Sequence, residues 1–457
     1  MTQTKEHIYF IGIGGISMSG LAEILASRGH QVSGTDVKET AVTKHLQSLG
    51  IHINFGHRAE NITDDITLVV YTAAIHDDNP ELRAAHEKGI RVTDRAHLLG
   101  QIMDEYHDSV AVSGTHGKTT TTSMVSEILL AAEKDPTITV GGILPTIGSN
   151  LRIGNSPYFV AEACEYFDSF LQFNPFIAII LNVESDHLDY FKTPENIRRS
   201  FHAFAQRVPD NGLLVISEKI DNVEELTDGL TCHVETFGLS EKANWRAENI
   251  VHEADGRNSF DVYHNGEFFT TIHLHIPGEH NITNALAAIG ASAFLGAAPE
   301  DCVKGLHHYT GTERRFQLKG KKDGITVIDD YAHHPTEIKA TLAACQNIPH
   351  NKLWCVFQPH TYTRTLALFD EFADAFEKAD ELVLAEIYAA REKNIYKISS
   401  AQLADKIKES HPDKKVTFMQ DFNSIADYVE SSADKGDLVL TMGAGDIYKV
   451  GEMILER

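Results

Sequence analysis

Short apolar runs that end in glycine or a polar residue alternate with stretches of helical spacing along most of the chain. IYFIGIGG (8–15) reads as a strand entering a glycine turn, SGLAEILASRGH (19–30) as a helix, and QVSGTD (31–36) as the next strand. A doubly wound sheet begins this way. TLVVYTAAI (67–75) is a later strand of the same kind, so residues 1–107 are expected to form one α/β domain. DSVAVSG (108–114) is a second strand-to-glycine entry, and a helix is predicted over 119–132. YFVAEA (158–163), FIAIILN (176–182) and GLLVIS (212–217) are further strands. The alternating polar stretch 245–276 predicts added antiparallel strands, and HNITNALAAIGASAFLG (280–296) a helix, giving a second domain over 108–312. GITVIDDYA (324–332), LWCVFQ (353–358), ELVLAE (381–386), KVTFM (415–419) and DLVLTMG (437–443) complete a third domain over 313–457. Strands that alternate with helices argue for parallel sheets.

Composition narrows the class. The 457 residues suit two to four domains, at roughly 100–200 residues each. A formal net charge of −25 is a poor match for nucleic acid or an anionic membrane surface, yet it leaves a small anionic ligand open, since local donors decide that. Five cysteines without a C-x-x-C pair point to reduced thiols. MTQTKEHIYF lacks a basic segment followed by an apolar core, and no apolar run approaches the roughly 20 residues that cross a bilayer. A cytoplasmic protein, monomer or weak homodimer, is expected.

The chemistry concentrates where strands end. AVSGTHGKTTTT (111–122) sits between a strand and a helix start, but it is shorter than the usual G-x-x-x-x-G-K-[ST] loop: Val112 stands five residues before Gly117. Backbone N–H groups there would attract an anion, Lys118 could reach terminal phosphates, and the Thr119 hydroxyl could ligate Mg²⁺. The bland alternative is a threonine-rich helix cap. GIGGISMSG (12–20) approaches a dinucleotide fingerprint with Ser17 in place of its third glycine and Asp36 near the ribose-acid position, which leaves NAD, another phosphate-bearing ligand and a structural turn all open. EACE places Glu162 at a strand end, NVESDHLD places Asp186 and His187 likewise, and ERRF offers two arginines. DDYAHHP (329–335) and QPHTYTRT (358–365) put acids, Tyr331, histidines and Arg364 after two third-domain strands, where open α/β sheets bind ligands.

In series, GIGGISMSG, SGTHGKTTTTSM, EACEYFDSF, NVESDHLD, GEHNITNALAA, ERRF, DDYAHHPTEI, QPHTYTRT and GAGDI resemble the Mur ligases, the ATP-dependent amide-forming enzymes of peptidoglycan synthesis. The resemblance covers nearly the whole chain, and the short phosphate loop is the form that family uses. It implies three domains: a Rossmann-like first domain for UDP-N-acetylmuramate, a central P-loop ATPase-like domain with a mostly parallel sheet for ATP, and a Rossmann-like third domain for the amino acid. It implies transfer of phosphate from ATP to the lactyl carboxylate, then attack by the amine of L-alanine. Carried over by position, Gly114, Thr115, His116, Gly117, Lys118, Thr119 and Thr120 would hold phosphates, with Thr119, Glu162 and His187 on Mg²⁺. Asn284 would meet adenine, Arg315 phosphate and Asp330 ribose. Tyr331 and His333 would meet the amine and Arg364 the alanine carboxylate. Gly12, Gly14, Gly15, Ser17 and Met18, with Asp36 and Thr72, would cradle uridine diphosphate rather than NAD. Two positions depart from many relatives: Cys164 replaces an acid, and Thr361 replaces an arginine, leaving Arg364 as the surviving arginine of its loop. The rival readings are a ligase that takes a recycled peptide in place of alanine, a nucleotide-binding switch without ligation, and an NAD-dependent oxidoreductase.

Overall fold

The computed structural model describes residues 5–72, 75–253, 257–390 and 392–457. Three sheets follow one another along the chain. The first contains β1 (His7–Ile11), β2 (Gln31–Asp36), β3 (His52–Phe55), β4 (Leu68–Tyr71) and β5 (Arg91–Asp94), all parallel, in the order β3-β2-β1-β4-β5. The order reverses between β1 and β4, which opens a crevice at the carboxyl ends of those strands.

The second sheet has ten strands: β6 (Asp108–Ser113), β7 (Thr137–Leu144), β8 (Ser149–Arg152), β9 (Tyr158–Glu162), β10 (Ile177–Ile180), β11 (Leu213–Ser217), β12 (His233–Gly238), β13 (Trp245–His252), β14 (Asn258–His264) and β15 (Glu267–Leu274). β6 lies between β9 and β10, and the strands from β7 through β9, β6, β10 and β11 to β12 run parallel. β10 and β11 are buried along their whole length, as strands covered on both faces must be, so they read as apolar runs broken only by Ser217 at the end of β11. β13–β15 pair antiparallel and alternate buried with exposed positions, in keeping with one solvated face. The third sheet runs β16 (Gln317–Lys322), β17 (Ile325–Asp330), β21 (Leu438–Met442), β18 (Leu353–Phe357), β19 (Glu381–Leu384), β20 (Lys415–Phe418), parallel except for β16.

The expected strands lie within a few residues of those observed. The 67–75 run ends as a strand at Tyr71, and its Ala73 and Ala74 lie outside the described residues. The phosphate-loop helix is Lys118–Ala131 and begins one residue early, because Gly117 serves as its N-cap in a left-handed conformation (φ 85°). β8 and β16 escape the apolar pattern because SNLR and QLKGKK pair at sheet edges with few apolar residues. Apolar packing is shared unevenly. One cluster joins Phe10, Leu21 and Leu99 of the first unit to Phe159, Phe170 and Phe204 of the second, whereas the two clusters of the third sheet hold residues of that unit alone. Among the described residues no helix is long and apolar enough to cross a membrane.

Candidate active site

The phosphate loop hangs between the end of β6 and the Lys118–Ala131 helix. Gly114 has φ +136°, and a Cβ there would lie 2.9 Å from Leu181 Cβ, so the turn admits no side chain. Asn182, after β10, braces the loop: its Oδ1 accepts the His116 N–H at 2.8 Å and its Nδ2 donates to the His116 carbonyl at 3.1 Å. Gly117 contributes no side-chain cap, so the first N–H groups of the helix remain available to an anion. Thr119 and Thr120 are buried beside them.

Lys118 folds back over the loop. Its Nζ donates to the Gly114 and Thr115 carbonyls and lies 2.9 Å from Glu165 Oε2. Burial alone would lower its pKa, but Glu165, with smaller contributions from Cys164 and Glu162, outweighs burial and raises it. The partner is therefore the second glutamate of EACE. Glu162 accepts the Gly141 N–H instead, while remaining within electrostatic reach of Lys118. His187 stacks on Tyr166 with ring centroids 4.2 Å apart, and its Nε2 lies 3.8 Å from Glu165 Oε1. Burial lowers its pKa, which keeps the ring neutral. Oxygen donors at Thr119 and Glu162 beside the loop fit a hard cation such as Mg²⁺, with the neutral His187 imidazole as a less usual ligand.

The third unit reaches this loop through three segments. Arg315 Nη2 donates to Thr119 Oγ1 at 3.4 Å, and its guanidinium stands 5.0 Å from the Tyr331 ring centre. Asp330, at the end of β17, accepts the Phe316 and Ala332 N–H groups at 2.7 Å each. Burial pushes its carboxyl up to about 6 despite Arg315 and those two donors. Glu337, near the start of the Pro335–Cys345 helix, accepts the N–H groups of His333 and His334 and places Oε1 3.1 Å from His116 Nδ1. His116 Nε2 lies 3.4 Å from Glu184, whose other contact is the Thr336 hydroxyl at 2.8 Å. Burial opposes charging His116, but Glu337 and Glu184 prevail and push it up to about 9. The ligand atoms of His116, Glu184 and His334 lie within 4.8 Å of one another. The Thr336 N–H donates to His334 Nδ1, which puts that ring's proton on Nε2, and the two carboxylates beside His116 favour its charged form.

Between these segments opens a cavity of about 740 Å³, lined by His116, Gly117, Thr120, Asn284, Arg315 and Asp330. Asn284 Nδ2 donates to Asn281 Oδ1 at 3.3 Å on its wall. A second cavity of about 190 Å³ lies against Asp186, His187, His360 and Arg364. His333 adjoins this end: its ring centre is 5.9 Å from that of His360, and its Nδ1 lies 3.0 Å from the Tyr331 carbonyl, which leaves the lone pair on Nε2. Burial, with help from Arg364, pushes His333 down to about 3, so it is neutral.

The first glycine loop is tied differently. The Gly12 and Ile13 N–H groups donate to the Thr35 carbonyl, and Asp36 Oδ2 accepts the Gly14 N–H at 2.8 Å. A Cβ on Gly14 would stand 2.7 Å from that oxygen. Gly15 caps the Ile16–Ser27 helix without a side-chain bond. Ser17 Oγ accepts from Arg95 at 3.0 Å, and Thr72 lies against Gly12. The Met18 side chain turns into the core at 2% exposure, because its position falls on the buried face of the helix; only its backbone can line the loop. Glu165, Glu184, Glu337 and Arg95 are charged residues of this region that the sequence did not single out as site residues, and Asp186 was singled out only beside His187. Glu165 and Glu337 sit inside the quoted motifs, but nothing in those letters says which carboxylate meets which cation.

Models of three Mur ligase domains match the chain in series: the Mur ligase family catalytic domain over residues 7–107, the middle domain over 112–292, and the glutamate ligase domain over 314–445. A UDP-N-acetylmuramate–L-alanine ligase of Acetivibrio thermocellus is 53% identical over 452 residues, covering 99% of this chain and 96% of that one. The ligase of the same name from Lachnospira eligens is 54% identical over 98% of both chains. Among solved structures, the UDP-N-acetylmuramate–alanine ligase MurC of Thermotoga maritima superposes with a TM-score of 0.82 at 32% identity, over 99% of this chain and 98% of that one. A murein peptide ligase of Psychrobacter arcticus gives 0.73 at 25%, with the same coverage. The chain belongs to the Mur ligase family.

Proposed function

We propose that the chain joins L-alanine to the lactyl carboxylate of UDP-N-acetylmuramate, converting ATP to ADP and phosphate. The relatives above that carry this activity in their names match along the whole chain. The observation that favours alanine as acceptor is the cavity at Arg364. Its roughly 190 Å³ is below the ~300 Å³ of a pocket for a drug-sized ligand. That suits one small amino acid, whose carboxylate Arg364 would meet; in a tripeptide the alanine carboxylate is already an amide.

The lactyl carboxylate attacks the γ-phosphorus of ATP and ADP leaves, giving an acyl phosphate. Lys118 and the open N–H groups of its helix stabilise the charge on the transferring oxygens. Thr119, Glu162 and His187 would hold Mg²⁺, which supplies charge neutralisation at the phosphates. The alanine ammonium gives up a proton to solvent, its nitrogen attacks the acyl carbon beside His333, and phosphate departs with the bonding pair and takes up the second nitrogen proton. Arg364 orients the acceptor through its carboxylate. The 740 Å³ cavity takes the nucleotide, with Asn284 at the base and Asp330 at the ribose, and the glycine loop before Ile16 takes uridine diphosphate.

Phosphate release with ATP, Mg²⁺ and UDP-N-acetylmuramate tests the reading. Stimulation by L-alanine is expected. Stimulation only by L-Ala-γ-D-Glu-meso-diaminopimelate would move the chain to the peptide-recycling branch, and release with neither acceptor would sink the ligase reading.

A further inference from the structure

The acceptor cavity already contains an ion pair, and a loose one. Arg364 Nη2 lies 3.3 Å from Asp186 Oδ1 and 3.4 Å from Oδ2, with Nε 3.4 Å from Oδ1. Charge-assisted pairs usually close to about 2.7–2.9 Å. These two side chains are only 10% and 11% exposed, so solvent does not explain the gap. Each is held from behind. Asp186 Oδ1 also accepts the His187 N–H at 2.8 Å, and Arg364 Nη1 faces His360 Nδ1 at 3.3 Å. Leu188 and Leu368 supply an apolar wall beside the pair. A fixed cation and a fixed anion standing side by side at a small cavity match a zwitterion better than either an anion or a cation alone.

We propose that Asp186 binds substrate: it holds the α-ammonium of the incoming amino acid while Arg364 holds its carboxylate. The amino acid inserts into the pair and replaces its stretched internal contacts with one substrate contact on each side chain. The inference rests on the alanine-adding reading. An amine without a carboxylate, or a carboxylate without an amine, would leave one buried member of the pair unsatisfied, and a site that must leave a polar group unpaired rejects such analogues strongly. His333 stands next to this end, its ring centre 5.9 Å from that of His360. The ammonium loses a proton to solvent, and the nitrogen lone pair is then free to attack.

Asp186→Asn preserves the size of the side chain and an oxygen for the His187 N–H, but removes the charge. In the full-length enzyme with saturating ATP, Mg²⁺ and UDP-N-acetylmuramate, the KM for L-alanine should rise about 10- to 100-fold, as expected for one lost charged hydrogen bond. The KM values for ATP and UDP-N-acetylmuramate should stay within about twofold. Hydroxylamine, an uncharged amine at neutral pH, should yield hydroxamate equally with wild type and variant, because it offers no ammonium to hold. An unchanged or lowered KM for alanine would overturn the proposal and make Asp186 a mere competitor for Arg364. Equal losses with hydroxylamine, or a parallel rise in the KM for ATP, would overturn it in favour of a structural role through His187. Wild-type enzyme that ignores alanine altogether would bring down the alanine-adding reading itself, and this proposal with it.

Discussion

His116 Nδ1 and Glu337 Oε1 face each other at 3.1 Å, one on the phosphate loop and the other on the first helix of the third unit. The imidazole is thereby occupied in fastening two parts of the chain together.

This contact should depend on pH. The ring titrates near 6.5 when unfolded and at about 9 when folded, so its stabilisation is complete below about 6.5 and is lost as pH rises through 9. Glu337, held well below its usual range despite burial by His333 and His116, stays charged throughout that window. The gap in melting temperature between wild type and His116→Asn should therefore be widest near pH 6 and shrink toward pH 9–10. A constant gap would mean that the ring is neutral.

Lys118→Met should abolish phosphate release, by about 10³-fold or more. It should also destabilise the fold by about 3 kcal/mol, because Glu165, at 3% exposure, would be left as an unpaired buried charge. Adding Glu165→Gln should restore much of the stability and none of the activity. Chemical denaturation read beside the phosphate assay separates the two effects.

Gly14→Ala drives a methyl group to 2.7 Å from Asp36 Oδ2 and breaks the hydrogen bond that shapes the first loop. The KM for UDP-N-acetylmuramate should rise about tenfold or more while the KM for ATP holds. A matched change in both would show that the loop serves the whole fold and not one substrate.

Asp330 has its carboxyl pushed up to about 6, so it carries full charge only above that pH. If it accepts from ribose hydroxyls, nucleotide affinity measured by calorimetry should fall as pH drops from 7 to 5. Asp330→Asn should bind more weakly and show no such slope.

Much of this was legible in the letters. The parallel strands announce themselves because the middles of β6, β10 and β11 are buried on both faces and are apolar, with serine only toward the strand ends. The phosphate loop announces itself because only glycine fits at Gly114 and Gly117. The pairing of charges was not legible. Glu162 and Glu165 are three residues apart in one motif, yet the turn after β9 aims only Glu165 at Lys118. Asp186 looks like a companion of His187 until the third unit brings Arg364 against it. Met18 belongs to a ligand-binding motif by spelling and to the core by helical phase.

The uneven sharing of apolar packing has a mechanical consequence. The first two units are joined by a common core, and Gly100 lets them touch backbone to backbone: a Cβ there would lie 2.0 Å from the Gln172 carbonyl oxygen. The third unit meets the second through His116–Glu337, Asp186–Arg364, Glu184–Thr336 and Arg315–Thr119. Salt screens exposed charges over a Debye length of about 8 Å at 0.15 M but reaches buried pairs much less, and His116, Glu337, Asp186 and Arg364 are each no more than 13% exposed. The third unit is thus fastened to a joined pair by a few directional contacts sheltered from salt, each resting on a side chain that a single substitution can remove.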